Sequence, residues 1–132
     1  MLLGVNTRLT GGVAVLDLIG RATAGAEADS LRDHMMAAFK NSSRYILLNC
    51  EELAFVDSSA IGEMVFAYTS IVRGGGMVKL LRPHKRVRQV LEITHLEKVF
   101  EILEDEGRAV ASFSAASAAR SRQALDSLLT DS

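Results

Sequence analysis

The sequence has one cysteine, one proline and no excess of either charge. The lone thiol, Cys50, leaves no internal disulfide to form, and its apolar surroundings fit a reduced, cytoplasmic setting. With 15 Lys and Arg against 16 Asp and Glu, the formal net charge is −1, too balanced for the basic footprint of a nucleic-acid binder. No apolar run approaches the roughly eighteen residues that a membrane span needs. The opening stretch MLLGVNTRLTGG lacks a basic region ahead of an apolar core, so no secretory signal is expected there. Catalytic and metal motifs are also missing. No G-x-S-x-G elbow occurs, His34, His84 and His95 are scattered, and one cysteine with three histidines shows no zinc-ligand spacing. The glycines of VRGGGMVKL follow a helical pattern instead of preceding one, so they act as turn residues and not as a phosphate loop.

What remains is a chain of 132 residues, 48% of them hydrophobic, which suits one folded domain with a single core. GGVAVLDLIG is a short apolar run bracketed by glycines and predicts a strand, with LLGVNTRL as the first arm of a hairpin turning through TGG. AGAEADSLRDHMMAAFK places Ala28, Leu31, Met35, Ala38 and Phe39 on one helical face, acidic at its start and basic at its end. RYILLNC lacks alternation, which predicts a central strand buried on both faces. A second helix spans SAIGEMVFAYTSIVRGGG, with Ile61, Met64, Val65, Tyr68, Ile71 and Val72 inward and the glycines as a stop. MVKLL predicts a strand closed by Pro83, and HKRVRQVLEITHL a helix with Val87, Val90, Leu91 and Thr94 on one face. On its other face Lys85, Arg86 and Arg88 are expected to be solvated. KVFEIL predicts a further strand and EDEGRAVASF a last helix. This order implies an α/β domain with a largely parallel core. Residues 1–113 form that domain. The small and polar residues of 114–132 form a C-terminal tail, with Leu125, Leu128 and Leu129 spaced for a short amphipathic helix that packs on the domain or a partner.

One stretch, FVDSSAIG, places Asp57, Ser58 and Ser59 in a row where the second helix begins. Any one of them can cap the helix by accepting from an orphaned backbone N–H, and Glu63 could join that cap from the first turn. A cap needs one such residue, so three are a surplus. The start of a helix is also a favourable seat for an added phosphate. Capping and phosphorylation are compatible roles for one segment.

Together these stretches resemble a STAS domain, the fold named for sulfate transporters and anti-sigma factor antagonists. YILLNCEELAFVDSSAIGEMVFAY is similar to the family's strand, its loop ending in Asp-Ser-Ser/Thr-Gly, and the following helix. GGGMVKLLRPHKRVRQVLEITHLEKVFEIL is similar to its glycine turn, strand, helix and last strand, and GGVAVLDLIGRATAGAEADSLRDHM to its opening strand and first helix. The resemblance spans roughly residues 5 to 112. It implies a largely parallel sheet of four to five strands with about four helices, mainly on one face. It also implies a regulator without cofactor, metal or enzymatic activity of its own.

Free-standing bacterial members of this size are commonly anti-anti-sigma factors, which release a sigma factor by binding its anti-sigma factor, itself a serine kinase. The resemblance then makes Ser58 the phosphorylation site. Asp57, Ser58, Ser59, Ala60 and Glu63 become the partner-binding residues, with Ser59 a cap or hydrogen-bonding neighbour. Phosphorylation switches binding off, and a serine phosphatase resets it. In that picture the phosphate adds to negative charge from Asp57, Glu51, Glu52 and Glu63. The family usually has glycine where Ala60 stands, and the alanine is expected to stiffen the helix start or block close approach of a kinase loop. Members that scaffold signalling complexes often depart from glycine there, so the alternative is an unphosphorylated scaffold or transport-complex subunit. A third class, a small serine hydrolase, requires a histidine beside Ser58 or Ser59.

Overall fold

The computed structural model describes residues 3–23 and 25–130. Strands β1 (Gly4–Thr10) and β2 (Val13–Ala22) form an antiparallel hairpin in which Thr10 faces Val13. Its two-residue turn places both Gly11 and Gly12 at positive φ, which a tight hairpin demands and glycine meets without strain. The chain continues as α1 (Ala26–Asn41), β3 (Tyr45–Val56), α2 (Ser58–Arg73), β4 (Met77–Leu81), α3 (Lys85–Ile93), β5 (Glu101–Leu103), α4 (Glu106–Ser112) and α5 (Ala115–Thr130). The sheet order is β1-β2-β3-β4-β5, and every pairing after the hairpin is parallel. Each parallel step needs a crossover, which α1, α2 and α3 supply.

The core explains the layering. Ala14, Leu16, Leu18, Ile46, Leu48, Val78 and Leu80 pack against apolar residues of α1, α2, α3 and α5 on one face of the sheet. Val13, Val15, Leu47 and Leu81 join Ala109 of α4 in a smaller cluster on the other. β3 lies in the middle with Ile46, Leu47 and Leu48 all buried, as its unbroken apolar run requires. Four helices on one face and one on the other match the expected α/β architecture. Burial pushes the Cys50 thiol up to about 12, so it stays protonated and inert.

Three expectations need correction. β3 does not stop at Cys50 but runs on to Val56, beside a β2 that reaches Ala22. Register shifts between Asp17 and Ile19 and between Gly20 and Arg21 absorb the broken alternation and keep the two strands paired. KVFEIL is not one strand: Leu96–Lys98 form a 3-10 turn and only Glu101–Leu103 are extended. The N–H groups of Val99 and Phe100 bond back to Leu96 O, which brings the Phe100 ring edge-on to Tyr68 with centroids 4.8 Å apart. Thr94 is not on the inner face of α3 but exposed just beyond its end, where the hydroxyl donates to Val90 O at 2.7 Å. The segment after residue 113 is helical, with Ala118 and Leu125 buried while Leu128 and Leu129 remain exposed.

A polar cluster ties the hairpin to α4. The Arg8 guanidinium grips Asp17 through Nε at 2.9 Å and Glu106 through Nη1 at 2.8 Å, and Asn49 Nδ2 donates to Asp17 at 2.8 Å. Hydrogen bonds from Arg8 hold both carboxyls below the usual carboxylate range. A depressed folded-state pKa adds stability above the unfolded value of about 4 and loses it as pH falls through the folded value. Arg8→Met is therefore expected to lower the urea midpoint at pH 7 by up to about 1 kcal/mol in stability, since the pairs are part-exposed. The difference from the parent should shrink as the pH is lowered towards about 2 and the carboxyls begin to take up protons. An equal deficit at both pH values would assign Arg8 a packing role alone.

Candidate functional site

The site lies beyond the carboxyl ends of β2 and β3, where α2 starts. Asp57 is the last extended residue, with φ −103° and ψ −178°. Its N–H donates to Ala22 O at 3.1 Å, which fastens the turn to the neighbouring strand, and its carbonyl accepts from Ile61 N. The carboxylate Oδ1 accepts from Ala60 N at 2.9 Å, so Asp57 is the helix cap. Ser59, expected to be the cap or its hydrogen-bonding neighbour, is neither. Ser58 and Ser59 occupy the first turn, both exposed, and their hydroxyls make no hydrogen bond with any described residue. The short Asp57 side chain in extended conformation reaches the free N–H first, which leaves both serines to solvent.

Two further expectations change. Glu63 lies past the first turn and takes no part in the cap; its carboxylate accepts from Arg32 Nη1 of α1 at 3.1 Å. Ala60 is completely buried within the main core, so its methyl offers no surface to a partner and cannot stand in the way of a kinase loop. The alanine in place of glycine is accommodated by packing in the core.

The outer face of α2 continues from Ser59 through Gly62 to Phe66, spacings of three and four. Phe66, about two turns along α2 from Ser59, is 59% exposed, a large apolar side chain left to solvent. A Cβ built on Gly62 would meet nothing within 4 Å. Gly62→Ala should therefore stabilise the protein by about 1 kcal/mol through helix propensity alone, measured as a higher urea midpoint. A lower midpoint would mean that the open space at Gly62 is needed by the fold.

Sequence reading missed Phe55, Arg21 and their link to Arg86. The Arg21 and Arg86 guanidinium carbons lie 5.3 and 5.1 Å from the centre of the Phe55 ring. From sequence, Arg86 belongs only to a solvated basic face. Arg88 of that face is occupied, donating to Pro83 O at 2.7 Å and pairing with Glu104. Arg21 carried no signal at all, because its place opposite Phe55 depends on the register shifts in β2 and β3.

None of the three histidines hydrogen-bonds to Ser58 or Ser59. His34 Nδ1 lies 2.8 Å from Ser30 O, His84 Nδ1 accepts from Arg86 N to cap α3, and His95 sits in a left-handed turn before Leu96. A cavity of about 240 Å³ opens between Arg44, Gly75, Ala118 and Arg122. It adjoins the far end of α2, a 16-residue helix about 24 Å long, and so is remote from the serines. Among the described residues no helix is long and apolar enough to cross a membrane.

Comparison with known proteins bears on the fold that carries this site. A STAS domain family model matches residues 5–109. A candidate anti-sigma factor antagonist of Thermotoga neapolitana is 35% identical over 57 residues, covering 43% of this chain and 50% of that protein. The chain thus matches about half the length of this curated relative. The crystal structure of a candidate anti-sigma factor antagonist from Thermotoga maritima superposes with a TM-score of 0.69 at 20% identity, covering 81% of this chain and 92% of the other. The Bacillus cell fate determinant SpoIIAA, in its phosphorylated form, gives 0.64 at 22% identity, with 82% and 97% covered. At these identities the two structures establish a shared fold.

Proposed function

The chain belongs to the STAS domain family, and we propose that it acts as an anti-sigma factor antagonist controlled at Ser58. Unmodified, it binds an anti-sigma factor that is also a serine kinase, and so frees a sigma factor in the cytoplasm. The kinase phosphorylates Ser58 and binding is switched off; a serine phosphatase restores it. Residues 1–113 are the switching unit and 114–132 an appended helical segment. The protein itself contributes a docking surface, not catalysis.

One observation carries this reading. Ser58 is exposed, without a hydroxyl hydrogen bond to any described residue, and held in the first turn of a helix whose cap is already supplied by Asp57. Its hydroxyl therefore has no structural duty to lose when a phosphate is added. The modification brings a charge of about −1.5 to −2. Because neither hydroxyl nor cap needs rearranging, its effect falls on a docked partner and not on the fold. Ser59, Glu63 and the exposed Phe66 extend the contact surface along α2 from the switch residue. The names of the relatives support the same role.

Incubation with candidate anti-sigma kinases and ATP, followed by mass mapping, tests it. A single phosphate on Ser58 is expected, together with loss of the complex. Modification at another residue, or none with any kinase, would overturn the proposal.

A further inference from the structure

We propose that Arg21 and Arg86, held on the Phe55 ring, are the counter-ions of a phosphate on Ser58. This rests on the reading of Ser58 as the phosphorylated residue, and it adds what receives the phosphate. Both arginines are exposed, and neither forms an ion pair with a described carboxylate. Cation–π contact with one ring restrains two long side chains that would otherwise sample many rotamers. Two like charges are thereby kept on one aromatic residue with no described carboxylate paired to either, an arrangement that an added dianion relieves.

Placement links this pair to Ser58. Arg21 faces Phe55 and Ala22 faces Val56 across the β2–β3 pairing, and Ala22 O accepts from Asp57 N–H. Phe55 and Ser58 are three steps apart, at most about 10 Å of chain. Arg86 comes from the first turn of α3, so cations from two different elements converge on this edge. The carboxylates nearby are largely engaged: Glu63 with Arg32 and Glu51 with Arg82. Asp57 caps α2, and Glu52 lies opposite Ile19, further back along the strands. His84 and Lys85 precede Arg86, and His84 already accepts the Arg86 backbone N–H. A guanidinium fork suits phosphate oxygens better than a lysine ammonium does. The clamp offsets the charge beside Asp57 and turns two outward-facing arginines inward, which removes them from any partner.

Phosphoserine placed at position 58 during translation tests this without a kinase, so a failed kinase assay and a failed clamp are separate results. In a ³¹P NMR titration the second phosphate pKa should fall at least half a unit below its ordinary value of about 6. Arg21→Gln with Arg86→Gln should bring it back, and Phe55→Leu part of the way. Arg73→Gln, at the far end of α2, should leave it unmoved. The unmodified double variant should keep the parent's unfolding midpoint. An ordinary pKa in the parent would overturn the clamp, and so would a depressed one that survives in the double variant. An unmoved titration together with weakened kinase binding would instead assign the arginines to an acidic segment of the partner, and would equally overturn it.

Discussion

Phosphate on Ser58 is expected to weaken binding of the anti-sigma kinase about a hundredfold, and Ser58→Asp about tenfold. The two figures follow from charge. A phosphate brings roughly −1.5 to −2 and three acceptor oxygens, whereas aspartate brings −1 on a shorter stem. Both act at the edge of a surface that contains Asp57, so bulk, the charge left uncompensated and the withdrawal of Arg21 and Arg86 act together against any partner that docks there. Ser58→Ala should bind like the parent and accept no phosphate. Stability should move the other way: an acid in the first turn of α2 favours the helix dipole by up to about 1 kcal/mol, so Ser58→Asp should unfold no earlier than the parent. Calorimetric titration of the kinase without ATP, paired with urea unfolding, separates the two effects. Indistinguishable affinities for Ser58→Asp and Ser58→Ala would remove Ser58 from the switch.

How much of this surface was visible beforehand depended on the range of the interactions. The helical faces were legible because periodicity is local: Leu31, Met35, Ile61, Met64 and Ile71 all lie where spacing placed them. The exposed serine segment was legible for the same reason, as a helix start following an apolar strand. Which residue capped it was not, since Asp57, Ser58 and Ser59 are all competent and only backbone conformation selects among them. Glu63 was misassigned because its partner, Arg32, lies on another helix. The Arg21–Phe55–Arg86 arrangement was invisible, for it needs two register shifts in paired strands and the arrival of α3. The turn at Val99 and Phe100 eluded a strand reading because those residues are apolar enough for one, and the contact with Tyr68 decides between them.

Gly76→Ala is expected to be the most damaging single-methyl change, destabilising by about 3 kcal/mol, at the upper end of overpacking costs. A Cβ there would lie 2.5 Å from Arg44 O, 2.7 Å from Ile71 Cγ2 and 2.7 Å from Phe39 Cε1. None of these can retreat cheaply. Gly76 N–H donates to Ile71 O at 2.8 Å and Gly75 N–H to Val72 O at 3.1 Å, the paired bonds that finish α2 after its glycine stop. Met77 N–H donates to Arg44 O at 2.9 Å, the bond that begins the β3–β4 ladder. Moving the backbone away breaks one set or the other. Gly75→Ala meets nothing within 4 Å but sits at φ +89°, so left-handed strain alone should cost about 1–2 kcal/mol. Urea midpoints for the two variants therefore test whether contact or conformation matters more, and equal losses would refute the steric account. Both positions lie at the end of α2 away from Ser58. Folded Gly75→Ala protein should consequently still be phosphorylated, because the strain is confined to the turn into β4 while the capped start of the helix is untouched.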